Sequence, residues 1–176
     1  MKERVVITGM GIICPIGHDV ETMWSNLLAG RSGMAPTTLF DASTYPTKFG
    51  AEVKGYDYRR FVKFPERHQH GNRGSLFAVG ATAQACRQAG VEIESDSPAD
   101  GIDRRRLGVY LGAGEGPTDP EVFFPALVRG WKADSQTMDW AAWSDVAISG
   151  MTAMRELEQE PNMPLGHVAL LAGARG

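Results

Sequence analysis

The stretch RVVITGMGIICPIG, residues 4–17, places a β-branched run directly before closely spaced glycines. Val5, Val6, Ile7 and Thr8 are strand formers, and the run predicts a buried strand over 4–8 that opens onto a glycine turn. The period then changes. In HDVETMWSNLLAG, residues 18–30, Asp19 stands as an N-cap, and Val20, Met23, Trp24, Leu27 and Leu28 follow helical spacing until Gly30 closes the helix.

The same alternation continues outward. TKFGAEV, residues 47–53, predicts a second, weaker strand. GSLFAVGATAQACRQA, residues 74–89, predicts a helix capped by Gly90. Ala78, Gly80, Ala81, Ala83 and Ala85 keep that helix thin, which suits one held close between neighbours. VEIESDSPADGIDRRR, residues 91–106, reads as a solvated loop. LGVYL, residues 107–111, predicts a third buried strand that opens onto GAGEGP. Residues 117–161 scatter aromatics among acids without a clean period and are expected to form an irregular helical excursion. In NMPLGHVALLAGARG, residues 162–176, Met163, Val168, Leu170 and Leu171 share a helical face and Gly173 is placed as a left-handed C-cap. Strands alternating with helices predict a three-layer α/β/α domain. Three strands make a narrow sheet for 176 residues, so the chain is expected to be a piece of a larger protein.

Composition narrows the function classes. Hydrophobic residues make up 43% and charged residues 22%, ordinary values for a globular chain with a core. A net charge of −3 argues against a broad nucleic-acid footprint. No apolar run approaches the roughly 20 residues of a membrane helix. Lys2 and Arg4 before an apolar run resemble a signal peptide, but Glu3, Gly9, Gly11 and Pro15 spoil the pattern, and a cytoplasmic location is expected. Cys14 and Cys86 are too few for a disulfide framework and are expected to be small core residues.

The glycine turns invite a dinucleotide reading, which fails on spacing. Glycines at 9, 11 and 17 put Cys14 where the fingerprint needs its third glycine, and no acid follows at the ribose distance. No Gly-Lys-Ser/Thr phosphate loop is present either. His68 and His70 lack the cysteine or acid partners of a metal site and are expected to be exposed polar residues in a basic turn. His167, among apolar neighbours, is expected to be a hydrogen-bonded packing residue. No cofactor and no metal are expected, and no complete active site can be assembled.

Four ordered blocks carry a family resemblance: RVVITGMGIICPIGHDVETMWSNLLAGRSG, FDASTYPTKFGAEVKGYD, LGVYLGAGEG and NMPLGHVALLAGARG. Together they resemble the opening of a β-ketoacyl-acyl-carrier-protein synthase of the elongating type II class. The resemblance implies the N-terminal half of a thiolase-like α/β/α fold, with residues 1–176 as one domain that is incomplete. It implies a decarboxylative condensation of an acyl thioester with malonyl-carrier protein, in fatty acid or polyketide synthesis. Its nucleophilic cysteine, two histidines and a lysine would all lie beyond Gly176, so no catalytic residue falls within the chain and the fragment alone should be inactive. The implied partners are an acyl carrier protein and a second copy in a homodimer, with no nucleic acid and no membrane.

The resemblance also assigns residues. Gly112, Gly114 and Glu115 would border the acyl pocket, where Glu115 puts a carboxylate in place of an apolar or small side chain. Lys63, Arg67 and Arg73, within a cluster that includes Arg59 and Arg60, would dock the acidic carrier, with Arg129 and Lys132 as a second basic spot. RHQHGNRG, residues 67–74, departs from the family pattern. Two other classes remain open on the residues alone. One is a non-catalytic thiolase-fold partner of the chain-length-factor type, the other a small-molecule or nucleotide-binding α/β module.

Overall fold

The computed structural model describes residues 4–114 and 118–176. Its helices form where local chemistry dictates them. Asp19 accepts from the Thr22 backbone N–H at 2.7 Å and starts α1, Val20–Leu28; Gly30 follows at a φ of +65°. Asn72 caps α2, Arg73–Ala89, through a 2.9 Å bond from Ser75 N–H, and Gly90 ends it at φ +72°. Gly173 ends α6, Met163–Ala172, in the left-handed conformation, with Ala174 N–H reaching back to Ala169 C=O at 2.9 Å.

The small residues of α2 do what their size suggests. On one side, residues 9–12 cross the helix so closely that a Cβ on Gly9 or Gly11 would collide with the carbonyls of Ala85 and Ala81. Met10 N–H donates to Gln88 Oε1 at 2.6 Å, and Gln84 Nε2 donates to His18 C=O at 2.9 Å. On another side α2 packs against α6, and Val79, Ala83 and Leu171 form the buried centre, flanked by Phe61, Val62 and Ile93. The helix is therefore held between neighbours, as its composition predicts.

The strands differ from the sequence reading. The described residues hold two antiparallel ribbons. β1, Met34–Pro36, pairs with β2, Phe49–Ala51, in the register Met34↔Ala51 and Pro36↔Phe49. β3, Trp131–Lys132, pairs with β4, Thr137–Met138. The predicted strand over 47–53 thus shortens to Phe49–Ala51. Residues 4–8 and 107–111 form no ladder, and Val5, Val6, Ile7 and Tyr110 are exposed instead of buried. A strand is stable only when a partner satisfies its backbone groups, and neither segment has a ladder partner among the described residues. The one start of pairing there is between Gly176 N–H and Leu107 C=O, at 3.1 Å, next to Arg175 N–H and Arg104 C=O at 2.8 Å.

Two helical expectations also shift. The apolar stripe of α1 buries nothing among the described residues, and Trp24, Leu27 and Leu28 are exposed. On α6 the buried positions are His167, Val168, Leu171 and Ala172, so Leu170 lies off the face predicted for it. Between α2 and α6, α3 (Pro120–Gly130) packs against α4 (Trp140–Gly150), and a short α5 (Ala153–Leu157) follows. Asp119, Asp139 and Thr152 cap these three helices in turn. No helix among the described residues is long and apolar enough to cross a membrane.

Candidate functional site

The glycine turn after residue 111 lies over the start of α2. Gly112 and Gly114 border a cavity of about 350 Å³ together with Arg73, Gly74, Ala78, Leu111, Pro161 and Pro164. Among the described residues, nothing lies within 4 Å of the position a Cβ would take on either glycine. The walls are largely hydrocarbon, with Arg73 and Glu160 as the charged members. A cavity of that kind holds an apolar chain better than a charged group. Glu115, the third residue assigned to this pocket from sequence, lies outside the described residues.

The five assigned cations do not form one cluster. Lys63 and Arg67 share the Phe64 ring, with the Lys63 ammonium 5.0 Å and the Arg67 guanidinium 4.3 Å from its centroid. Arg73 donates to Val53 C=O at 2.7 Å and lies over Phe77. Arg129 and Lys132 sit apart, at the junction of α3 and β3, and Lys132 is paired with Asp139 at 2.8 Å. The Lys132 ammonium holds the Asp139 carboxyl below the usual range.

Glu94 organises the first basic segment, and nothing in its sequence context announces it. The residue belongs to the stretch expected to be a solvated loop, yet it is buried and adopts a φ of +51°. Its carboxylate accepts the backbone N–H groups of Lys63 and of Phe64, the latter at 3.1 Å. Its own N–H donates to Leu171 C=O at 2.9 Å. One acid therefore ties residues 63 and 64 to the end of α6. Deeper in the same loop, Arg104 pairs with Asp100 at 2.7 Å and holds that carboxyl down to about 2.

The histidines also correct the sequence reading. His70 is exposed as expected, but His68 is fully buried. Its Nδ1 lies 3.0 Å from Nδ1 of His167, whose Nε2 lies 3.1 Å from Glu158 Oε2. His167 is a buried, hydrogen-bonded packing residue, as its surroundings predict. Alternation within HQH carries no hint of this, because the partner is on α6. Burial, followed by the adjacent His167, pushes the His68 imidazole below its ordinary value of 6.5. Cys14 and Cys86 are half-buried and unpaired, and burial pushes the Cys86 thiol up, away from a reactive thiolate.

Known proteins give this arrangement a context. The sequence model of the β-ketoacyl synthase N-terminal domain matches residues 2–176. A 3-oxoacyl-[acyl-carrier-protein] synthase 2 of Coxiella burnetii is 40% identical over 116 residues, covering 65% of this chain and 26% of that protein. The chloroplastic 3-oxoacyl-[acyl-carrier-protein] synthase I of Hordeum vulgare is 36% identical over 115 residues, covering 65% of this chain and 24% of its own length. The chain thus spans well under half the length of such relatives. Among solved structures, a β-ketoacyl synthase from Burkholderia phymatum superposes with a TM-score of 0.67 at 23% identity, over 99% of this chain and 38% of that one. A type II polyketide ketosynthase, solved in complex with its acyl-carrier protein, superposes with a TM-score of 0.65 at 22% identity, over 98% of this chain and 41% of that one. These likenesses establish the fold as the thiolase-like fold of ketosynthases. With its family model matched from residue 2 to residue 176, the chain belongs to the β-ketoacyl synthase family, as its N-terminal domain.

Proposed function

We propose that the protein carrying this chain is a 3-oxoacyl-[acyl-carrier-protein] synthase of the elongating type II class. Residues 1–176 then form its N-terminal domain, and residues 117–161 form an excursion from that domain. The reaction moves an acyl group from a carrier thioester to a cysteine thiolate. Loss of CO2 from malonyl-carrier protein next gives an enolate, whose carbon attacks the acyl thioester, and the cysteine leaves as thiolate. The nucleophile, two histidines and lysine of that chemistry belong to residues outside 1–176. The observation that carries this reading is the family match over 2–176, in company with 40% identity to a relative named for the same activity.

Within the chain, the proposal gives Gly112 and Gly114 the wall of the acyl pocket, supported by the apolar cavity they border. Glu115 is assigned there on sequence, as a carboxylate that restricts or repolarises the pocket. Lys63, Arg67 and Arg73 are assigned to docking of an acyl carrier protein, with Arg129 and Lys132 as a second contact. The rings of Phe64 and Phe77 support the first three by holding their cationic heads at the surface. The solved complex of a related fold with its acyl-carrier protein supports the choice of partner. A homodimer in the cytoplasm completes the proposal, with no cofactor and no metal.

The test uses the full-length protein with acyl- and malonyl-carrier protein, and follows 3-oxoacyl product by mass spectrometry. Absence of product would overturn the assignment. Reversal of Lys63 and Arg67 to Glu should raise KM for the carrier and spare small thioester analogues; equal effects on both would exclude docking there. Glu115→Ile should change the chain length of the products, and an unchanged distribution would place Glu115 outside the pocket.

A further inference from the structure

A second cavity lies apart from both the glycine turn and the Lys63–Arg67 segment. It measures about 710 Å³ and is bordered by the turn before α1, the loop after it, the 3₁₀ turn Tyr58–Arg60 and the outer part of α2. That volume is in the range of small-molecule sites.

Three guanidiniums line it, each from a different element. Arg31 follows α1, Arg60 ends the 3₁₀ turn and Arg87 is in the last turn of α2. All three are exposed, and none makes an ion pair or side-chain hydrogen bond among the described residues. Other cations of the fold are engaged, among them Arg73 on Val53 C=O, Arg104 on Asp100, Lys132 on Asp139, and Arg155 on Asp119 and Glu121.

The acids of the same cavity do not answer these charges. Asp19 spends its carboxylate on its own helix, accepting from Thr22 N–H at 2.7 Å and Thr22 Oγ1 at 2.9 Å. Asp57 accepts from Arg59 N–H at 3.1 Å and faces the Arg59 side chain at 3.9 Å. Several neutral polar groups are engaged as well. Gln84 Nε2 bonds His18 C=O, Asn26 Nδ2 bonds Ile16 C=O at 2.6 Å, and the Tyr56 hydroxyl donates to Leu76 C=O at 2.6 Å. Among the described residues the unpaired charge of the cavity is therefore that of three arginines, with the His18 ring and the amide oxygens of Asn26 and Gln84 as neutral polar groups beside them. Phe61 and Tyr56 add aromatic surface beside them, with ring centroids 5.7 Å apart.

We propose that this cavity is a binding site for a small diphosphate-bearing anion, held by Arg31, Arg60 and Arg87. A guanidinium presents paired N–H donors that match phosphate oxygens, and three of them suit a ligand with more than one anionic centre. A monocarboxylate would leave most of that donor set unused. The shared chemistry is the diphosphate group, and its source is either free inorganic diphosphate or a nucleoside diphosphate whose base lies on Phe61 and Tyr56. The site is independent of the condensation chemistry, since it uses none of the residues assigned to the acyl pocket.

The experiment is calorimetric titration of the full-length protein with inorganic pyrophosphate and, separately, with ADP at low ionic strength. Saturable 1:1 binding of pyrophosphate is expected, weakening as salt is raised. Arg31→Gln, Arg60→Gln and Arg87→Gln should each weaken it at least about tenfold, the worth of one charge-assisted hydrogen bond. All three side chains are exposed, so the variants should keep the parent melting profile. Arg106→Gln, at an exposed basic position outside the cavity lining, should bind as the parent does. Tighter binding of ADP than of pyrophosphate, abolished by Phe61→Leu, identifies the nucleotide source; equal binding of the two identifies free diphosphate. No saturable heat with either probe would overturn the proposal. So would a loss in Arg106→Gln as large as in the three cavity variants, which would mark general attraction of anions. Loss of carrier-protein binding in Arg60→Gln with no heat from pyrophosphate would assign the cavity to a protein partner and reject it as a small-anion site.

Discussion

His68 and His167 meet Nδ1 to Nδ1 at 3.0 Å across 99 positions of sequence, and Glu158 extends the chain of contacts from the far nitrogen of His167. The proton arrangement follows from the partners. With His167 donating from Nε2 to Glu158, its Nδ1 accepts, and His68 must donate from Nδ1. His68 Nε2 is then a buried lone pair, and that atom has no hydrogen-bond partner among the described residues. A further proton would create a buried cation whose new N–H has no acceptor there.

The first prediction concerns acid. Because His68 is held below 6.5 by burial and by His167, the folded state binds fewer protons than the unfolded chain as pH falls toward and past that value. Stability should thus rise with pH and be lost on acidification below about pH 6.5, by at most about 1.4 kcal/mol per pH unit for this group. Thermal melts of the full-length protein between about pH 5.5 and 7.5 should show the decline, and His68→Leu should flatten it. A pH dependence of the melting temperature as steep in the variant as in the parent would remove His68 from the explanation.

A second prediction rests on the close crossing of residues 9–12 over α2. An alanine Cβ at Gly9 or Gly11 would fall on backbone carbonyls of Ala85 and Ala81, which cannot swing aside as a side chain can. Gly9→Ala and Gly11→Ala should each destabilise by about 1–3 kcal/mol, as overpacking does. Alanine at Gly50, where nothing lies within 4 Å, is the control. Denaturant unfolding separates them; equal midpoints for Gly9→Ala and Gly50→Ala would mean that the crossing is loose.

Glu94 gives the third. Removing its carboxylate leaves the N–H groups of Lys63 and Phe64 without their acceptor at a part-buried position. Glu94→Ala should cost about 1–3 kcal/mol, and Glu94→Gln, which keeps one acceptor oxygen, should cost less. Hydrogen exchange of those two amides should speed up in Glu94→Ala. If exchange there matches the parent, the segment is fixed by Phe61 and Val62 in the core rather than by Glu94.

The fourth concerns residues 1–176 expressed alone. Val5 is 98% and Ile7 84% exposed, Tyr110 is fully exposed, and neither segment has ladder hydrogen bonds. Extended apolar segments with free backbone groups recruit other strands. The isolated chain should bind a hydrophobic dye and self-associate. A monodisperse monomer with a sharp, cooperative melt would contradict this.

The sequence by itself determined what is settled within a few residues. Asp19 starts its helix, and Gly90 and Gly173 end theirs, because a cap bonds its own turn or the one beside it. The row of small residues in α2 likewise announced close neighbours, since only side-chain volume limits approach. The order of four blocks along the chain carried the family, which the match over 2–176 bears out. Tertiary structure alone decided the rest. His68 is buried because α6 brings His167 to it, and Glu94 is a clamp because Lys63 and Phe64 arrive 31 and 30 positions away. The apolar runs at 4–8 and 107–111 have strand composition, but a ladder needs a partner that local sequence cannot supply. Three arginines 27 to 56 positions apart came to border one cavity for the same reason: folding, not spacing, sets which charges share a space.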